Sequence, residues 1–467
     1  MNKTLEQCLE NIVGKEHVLS DRSAIENYLI DETPKLIRPR PASSLILVKP
    51  CSAEEISKIL KMANCMKVPV FPRGGGTGLV GGSVPTENGI ILSLERMDDV
   101  EIDKDNLMAV AEAGVTLEKL LNVAESAGLF FPPHPGDEGA HLGGLAATNA
   151  GGSRAVRYGV MRNYIRAMEI VLPTGEIIEL GGKTLKNNVS YALIDLMIGS
   201  EGTLGVITKV TLRLFAKPTA SATLIVPYNS RRDAAKSALQ ILQQGIMPLA
   251  IEYVESELME RTAEQIGEVW RVKEGYYYLL IVVTEHDENI VVSECAKIAD
   301  ICKENNCLEP LYVDSKREQN RILNIRSKIY SALKAETADI LDLVVPPANL
   351  GKLMDKIDEI AEKHKVYLPL YGHAADGNLH VHIIKQKENK CTLKHVEKLR
   401  NEIYGACLEL GGVITGEHGI GKVRTKTLHK YLSEKEIELI KNIKKIFDPN
   451  NILNPGTKTP LANTLNR

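Results

Sequence analysis

Between about Ser44 and Ala216 the apolar residues fall in short, β-branched runs: SSLILVKP, VPVFPR, GIILSL, MAVAEAGV, AMEIVLP and GVITKVTLRLF. Glycine-rich or proline-marked turns separate them, which predicts a strand-rich unit. Two stretches, SAEEISKILKMANCMK and TLEKLLNVAESAG, carry helical periodicity instead. Beyond Lys217-Pro218 the rhythm changes to strand, long helix, strand: TLIVPY, RRDAAKSALQILQQG, LAIEYV. It returns in YYYLLIVVTE, ENIVVSECAKIADICKE, DLVVPP and NLGKLMDKIDEIAEKH, before a hairpin and a helix near LKHVEKLRNEIYGACLEL. The expected fold class is α+β, with helices covering one face of an antiparallel sheet in the second unit. The tail EIELIKNIKKIFDPNNILNPG predicts one helix, stopped by Asp448-Pro449 and again by Asn454-Pro455-Gly456, returning to the first unit. The chain thus divides into 1–217, with a strand-rich core at about 38–217, then 218–425 and 426–467.

A length of 467 residues agrees with two or three domains. The net charge of −3, from 57 basic and 60 acidic residues, gives no electrostatic case for nucleic acid or an anionic membrane as partner. No run of eighteen apolar residues occurs, and the N-terminus carries charges where a signal peptide would be apolar, so the expectation is a cytoplasmic protein without a membrane span. The 8 cysteines form no C-x-x-C pair, which argues against a zinc ribbon or an iron–sulfur cluster and for reduced, structural thiols.

Pro72 to Ser83 read PRGGGTGLVGGS after an apolar strand. Such a loop can turn several backbone N–H groups toward one anion, because no Cβ obstructs the approach. Gly76, Gly78 and Gly81 satisfy G-x-G-x-x-G, and Glu95 ends the next strand where a Rossmann unit places its ribose-binding acid. That unit needs a helix of about ten residues after the loop, whereas Gly82 to Gly89 include Pro85 and Asn88-Gly89. A second cluster, HLGGLAATNAGGSRAVRYG, and a third, GSEGTLGVIT, repeat the donor-rich chemistry. A mononucleotide uses one cradle, whereas a long dinucleotide would use all of them. The lookalike GEHGIGK has Val423 where a phosphate loop needs Ser or Thr for magnesium, which excludes an ATPase reading.

The segment YGHAADGNLHVHI surrounds Asp376-Gly377, the favoured pair for a two-residue hairpin turn. In that register His373 faces His380 directly, with Cβ atoms about 5 Å apart. His382 points to the same face, and Glu417-His418 in TGEHGIG add a carboxylate and another imidazole, a set suited to a divalent metal.

The motifs PRGGGTGLVGGS, FPPHPG, HLGGLAATNAGG, GSEGTLGVIT, GHAADGNLH, TGEHGIG and FDPNNILNPG occur in that order over almost the whole chain. In this they resemble the FAD-dependent D-2-hydroxyacid dehydrogenases, which have a vanillyl-alcohol-oxidase-like, PCMH-type FAD-binding domain and a cap domain. The resemblance implies FAD in the first unit, with its pyrophosphate over Arg73, Gly74, Gly75, Gly76, Thr77 and Gly78, next to Pro72. Further contacts would come from Pro135, Gly136, Gly143, Gly144, Asn149, Ala150, Gly151, Gly152, Glu201, Gly202, Gly205 and Ile207, with Asn454 of the tail near the flavin ring. It implies a divalent ion (Zn, Fe or Mn) on His373, His380 and Glu417, His418 as general base, and Arg326 as the clamp for the substrate carboxylate. The α-hydrogen of the substrate would leave as a hydride to flavin N5.

Relatives acting on dicarboxylates commonly have a lysine shortly before the strand-Pro motif, where this chain has Ile340 in TADILDLVVPP, so a small monocarboxylate such as D-lactate is expected over D-2-hydroxyglutarate. VSYALIDLMIGSEG replaces the relatives' GYDL-containing stretch, without an assignable consequence. Longer members carry a cysteine-rich iron–sulfur domain. The resemblance is nearest to compact lactate dehydrogenase subunits that work with an electron-transferring flavoprotein, including electron-bifurcating complexes. A flavin relay subunit without catalysis would need none of the His373, His380, Glu417 and His418 set.

Overall fold

The computed structural model describes residues 2–385 and 392–458. The β-branched runs of the first unit become two large sheets, beside a two-stranded pairing of Leu129–Phe130 with Phe215–Ala216. A four-stranded sheet has the order Val18–Leu19, Leu45–Val48, Gly89–Ser93, Val70–Arg73, and the last three strands are parallel. Leu45–Val48 and Gly89–Ser93 are buried at every position, as parallel strands covered on both sides must be. Helix Ala53–Met66 packs on them through Ile56, Ile59, Leu60 and Ala63, and Ser52 caps it by accepting from the Glu55 N–H.

The second sheet is five-stranded and antiparallel, ordered Val100–Asp103, Met108–Glu112, Val206–Arg213, Ile165–Val171, Ile177–Gly181. HLGGLAATNAGG, expected as a loop, instead contains the helix Leu142–Thr148. Its Leu142 and Leu145 join the core around Ala109, Ala111 and Leu120, so burial of that apolar stripe overrides the glycines' low helix propensity. A Cβ on Gly143 would stand 2.6 Å from that of Ala113, so glycine is what lets the helix lie this close to the sheet.

The third sheet has seven antiparallel strands in the order Leu311–Val313, Ala220–Tyr228, Tyr277–Glu285, Ala250–Glu255, Leu370–His373, Asn378–Ile384, Thr337–Val344. The α+β class holds, but helices cover both faces rather than one. Leu224, Val226, Ile251, Ile281, Leu341, Leu370 and Val381 pack under the helices Arg231–Gln243, Glu288–Glu304, Leu350–His364 and Leu393–Glu409. On the opposite face Ile225, Val254, Leu280 and Tyr371 meet the shorter helices Ser256–Gln265, Lys316–Ser327 and Ile329–Leu333. These short helices cover only part of that face, and the uncovered remainder looks onto the first unit.

The tail helix Glu434–Phe447 begins with a capping box between Ser433 and Glu436. Beyond it the chain runs back along Val70–Arg73: Val70 N–H donates to Ile452 O at 2.7 Å and Asn454 N–H to Val70 O at 2.8 Å. Lys444 ties this return to the GSEG turn by donating to Thr203 O at 2.7 Å. Among the described residues no helix is long and apolar enough to cross a membrane. The described cysteines are free thiols, and Cys391 lies outside the described residues.

Candidate functional site

A cleft of about 920 Å³ runs between the first unit and the open part of the seven-stranded sheet. It lies at the upper end of the roughly 300–1,000 Å³ usual for ligand and cofactor sites. Segments 72–83, 134–154 and 201–207 all border it, so the three glycine clusters, far apart in sequence, share one cavity. Gly136 and Gly144 line it with nothing within 4 Å of a would-be Cβ, so any side chain there would project into the open space. An extended cradle of backbone donors kept free of side chains fits a dinucleotide such as FAD.

Of the residues expected to hold the cofactor, Asn149 and Gly151 do not border the cleft. Asn149 ends helix Leu142–Thr148 in the left-handed region, and its Oδ1 accepts from the Arg162 N–H at 3.0 Å. Gly151 backs the TGEHGIG loop, since a Cβ there would meet Glu417 Oε2 at 2.9 Å. Three others border the cleft with their side chains already engaged. Glu201 accepts from Ile420 N–H at 2.9 Å and Gly421 N–H at 2.7 Å. Arg73 donates to Asn27 O at 2.9 Å. Asn454 donates to Gly82 O and Glu201 O, both at 2.9 Å, and so carries the tail to the cleft.

The hairpin forms, but two positions away from the expected register. His373 lies opposite Asn378 and Tyr371 opposite His380, so Ala374 to Gly377 make a four-residue connection. Neighbouring strands hold it open: Ala374 N–H donates to Ile251 O at 2.9 Å and Val345 N–H to Gly377 O at 3.1 Å. Gly377 has φ 79°, and a Cβ would come 2.0 Å from Val345 O. A slip of two residues keeps every side chain on its face, so His373 and His380 still meet, edge to face, with ring centroids 5.4 Å apart.

Alternation along the strands sends Leu370, Leu379, Val381, Leu341 and Leu343 to the helical side. Glu252, Asp342, Tyr371, His373 and His380 go to the cleft side. Glu417 Oε1 stands 3.7 Å from His373 Nε2, 3.4 Å from His380 Nε2 and 3.9 Å from His418 Nε2. These separations exceed a hydrogen bond. The His380 separation is close to the roughly 3.3 Å between ligand atoms that sit about 2.0–2.1 Å from one tetrahedral ion, and the His373 and His418 separations are longer. His380 and His418 are stacked, 5.0 Å apart and 12° from parallel.

Two residues of the candidate site were missed in the sequence. Asp342 belongs with His380, Glu417 and His418 to a group whose candidate ligand atoms all lie within 4.8 Å of one another. Its Oδ2 accepts from Thr415 Oγ1 and from the N–H groups of Gly416, Glu417 and His418 at 2.8–3.0 Å, while Oδ1 takes Asn378 Nδ2 at 2.8 Å. The carboxylate is filled by these bonds, and it orients the glycine-rich loop. Glu252 accepts from His373 Nδ1 at 2.5 Å and pairs with Arg326 at 2.5 Å. The available signal was an acid inside each apolar strand, LAIEYV and DLVVPP, because a charge buried in a strand needs a partner. His382 shares the face but serves the fold, bonded to Thr337 Oγ1 at 2.8 Å and Tyr371 Oη at 3.1 Å.

The charges follow from burial and these neighbours. Burial acts to raise the Asp342 carboxyl, but His418, His380 and the loop N–H groups outweigh it and hold it well below the usual carboxylate range. Glu417 is likewise pulled down to about 2, against burial, chiefly by His373. Burial lowers His380 to about 3, with help from the charge of His418, whereas Glu252 and Glu417 overcome burial and raise His373 well above its ordinary value. Arg326 lies with its guanidinium 4.7 Å from the Tyr371 ring centre, and its Nε is buried without a hydrogen-bond partner among the described residues. A guanidinium that borders the cleft and keeps an unused donor suits a carboxylate.

Residues 44–181 match the family model for a FAD binding domain, and residues 217–457 that for the C-terminal domain of FAD linked oxidases. The chain is 44% identical to a D-lactate dehydrogenase of Archaeoglobus fulgidus, over 92% of this chain and 94% of that one. It is 34% identical to a D-lactate dehydrogenase of Anaerostipes hadrus, over 97% of this chain and 98% of that one. Among solved structures, p-cresol methylhydroxylase with substrate bound shares the fold with a TM-score of 0.80 at 16% identity, over 98% of this chain and 97% of that one.

Proposed function

The chain belongs to the FAD-linked oxidases, and on that premise we propose that it is an FAD-dependent dehydrogenase that oxidises D-lactate to pyruvate with help from a divalent metal. The observation that carries this reading is the meeting of His373, His380 and His418 on Glu417, in the same cleft as Arg326 and the glycine cradle. FAD, when bound, supplies the acceptor for the hydride from the substrate's C2, and a cation on His373, His380 and Glu417 supplies positive charge that makes the hydroxyl more acidic.

The chain's own groups supply the rest. Arg326 binds the carboxylate through its guanidinium, which the Tyr371 ring keeps in plane. His418 accepts the hydroxyl proton at Nε2, its ring fixed by stacking on His380 and its backbone by Asp342. Ile340, buried and bordering the cleft, puts a hydrocarbon where relatives acting on dicarboxylates carry a lysine, which favours a small monocarboxylate. The electrons then pass to a separate protein acceptor, an electron-transferring flavoprotein.

The test is the visible flavin band of the purified holoprotein under anaerobic conditions, with D-lactate, L-lactate and D-2-hydroxyglutarate added in turn, before and after chelation. Bleaching by D-lactate that chelation abolishes is the expected result. Bleaching by D-2-hydroxyglutarate alone overturns the substrate assignment, and bleaching that persists without metal overturns the role of the cation.

A further inference from the structure

Glu252 sits on the strand Ala250–Glu255, where its backbone is the direct cross-strand partner of His373. The residue is 2% exposed, and the two carboxylate oxygens have different partners. Oε1 accepts from His373 Nδ1 at 2.5 Å, and Oε2 is 2.5 Å from Arg326 of the helix Lys316–Ser327.

Each contact has a chemical consequence. A hydrogen on His373 Nδ1 committed to Glu252 leaves the Nε2 lone pair as the free one, and Nε2 is the atom 3.7 Å from Glu417 Oε1. The Arg326 contact engages one terminal nitrogen and leaves Nε, buried and unpartnered among the described residues, for an incoming carboxylate. A single buried carboxylate therefore fixes the tautomer of a metal-side imidazole and the direction of the substrate-side guanidinium.

We propose that Glu252 is a positioning residue that joins His373 to Arg326, so that the cation site and the carboxylate clamp are held at one fixed spacing. This rests on the reading of the cleft as a metal-assisted hydroxy-acid site.

The test uses Glu252→Gln and Glu252→Ala in the FAD-loaded protein, with two readouts besides turnover. One is the affinity for Zn²⁺ added back after chelation, measured as zinc per flavin. The other is the dissociation constant of pyruvate, read from the flavin difference spectrum. Glutamine keeps one acceptor oxygen but turns an NH₂ toward one of two donors, so the expected result is loss of one affinity by about tenfold or more, with the other nearly unchanged. Alanine weakens both by about tenfold or more. Arg326→Ala, which touches no metal ligand, changes zinc affinity when Glu252 is present and leaves it unchanged in the Glu252→Ala background. Zinc and pyruvate affinities that stay within about twofold in both variants overturn the proposal. So does a parallel loss of flavin and of melting temperature, which marks a general structural role. Failure of the underlying reading shows in the unsubstituted protein, as no reduction by D-lactate and no pyruvate difference spectrum.

Discussion

Asp342 holds the backbone of His418: Oδ2 accepts its N–H at 2.9 Å, with the ring Nδ1 4.0 Å from the same oxygen. Further bonds to Gly416 and Glu417 make one carboxylate the anchor of the loop that carries two of the four convergent groups. Asp342→Asn puts an NH₂ where backbone donors point, or surrenders the bond from Asn378. The expected result is a loss of roughly 10- to 100-fold in metal affinity and kcat/KM, with flavin content unchanged. Metal analysis and steady-state kinetics check it.

Gly144→Leu places a side chain in the open cleft from a helical position that tolerates leucine well. The apoprotein is expected to fold, with its circular dichroism preserved, while the flavin-to-protein ratio falls by about tenfold or more. Normal flavin content in this variant would mean that the cofactor does not use this part of the cradle.

Ile340→Lys brings an ammonium to the cleft wall where the chain now presents a buried hydrocarbon. The ratio of kcat/KM for D-2-hydroxyglutarate over D-lactate is expected to rise by about tenfold or more, the worth of one charge-assisted hydrogen bond of about 1.5 kcal/mol.

Lys422 is buried behind the glycine loop, donating to Gly82 O, Asn454 Oδ1 and Thr457 Oγ1, and burial pushes it down from 10.5 to about 7. Below the folded value both states carry the proton, and the cost of the buried charge is fully present. Between about pH 7 and about pH 10 the unfolded chain holds the proton and the folded one sheds it, so stability rises with pH. Urea unfolding of the wild type should show this rise. In Lys422→Met the part of the slope due to this group should vanish.

Much of this architecture was legible because period-two and period-3.6 patterns are written directly in the residues. LILV, GIILS and VITKVTLR became strands, and AEEISKILKMANCM and EKEIELIKNIKKIF became helices. Coverage of the large sheet was misread because strands such as LAIEYV are apolar at both phases, which says that both sides are buried without saying by what. The histidines and Glu417 stood out by residue type. Asp342 and Glu252 did not, because an acid in a strand acquires meaning only from its cross-strand and loop partners, and those come from residues 36 to 121 positions away. The turn at Asp376-Gly377 was legible as a turn, but its length was set by Ile251 and Val345, which no local signal announces.

The two-residue slip of the hairpin implies a rule of parity for its evolution. Lengthening or shortening this connection by an even number of residues leaves His373 and His380 on the cleft side, with only their offset along the strands to be taken up by the rings. A change by one residue inverts a whole strand. It would drive His373 among the leucines of Leu350–His364 and Leu393–Glu409 and would leave the buried Glu252 with Arg326 but without its histidine partner. Insertions here should therefore be tolerated in pairs, and the spacing between His373 and His380 is free to vary only in steps of two.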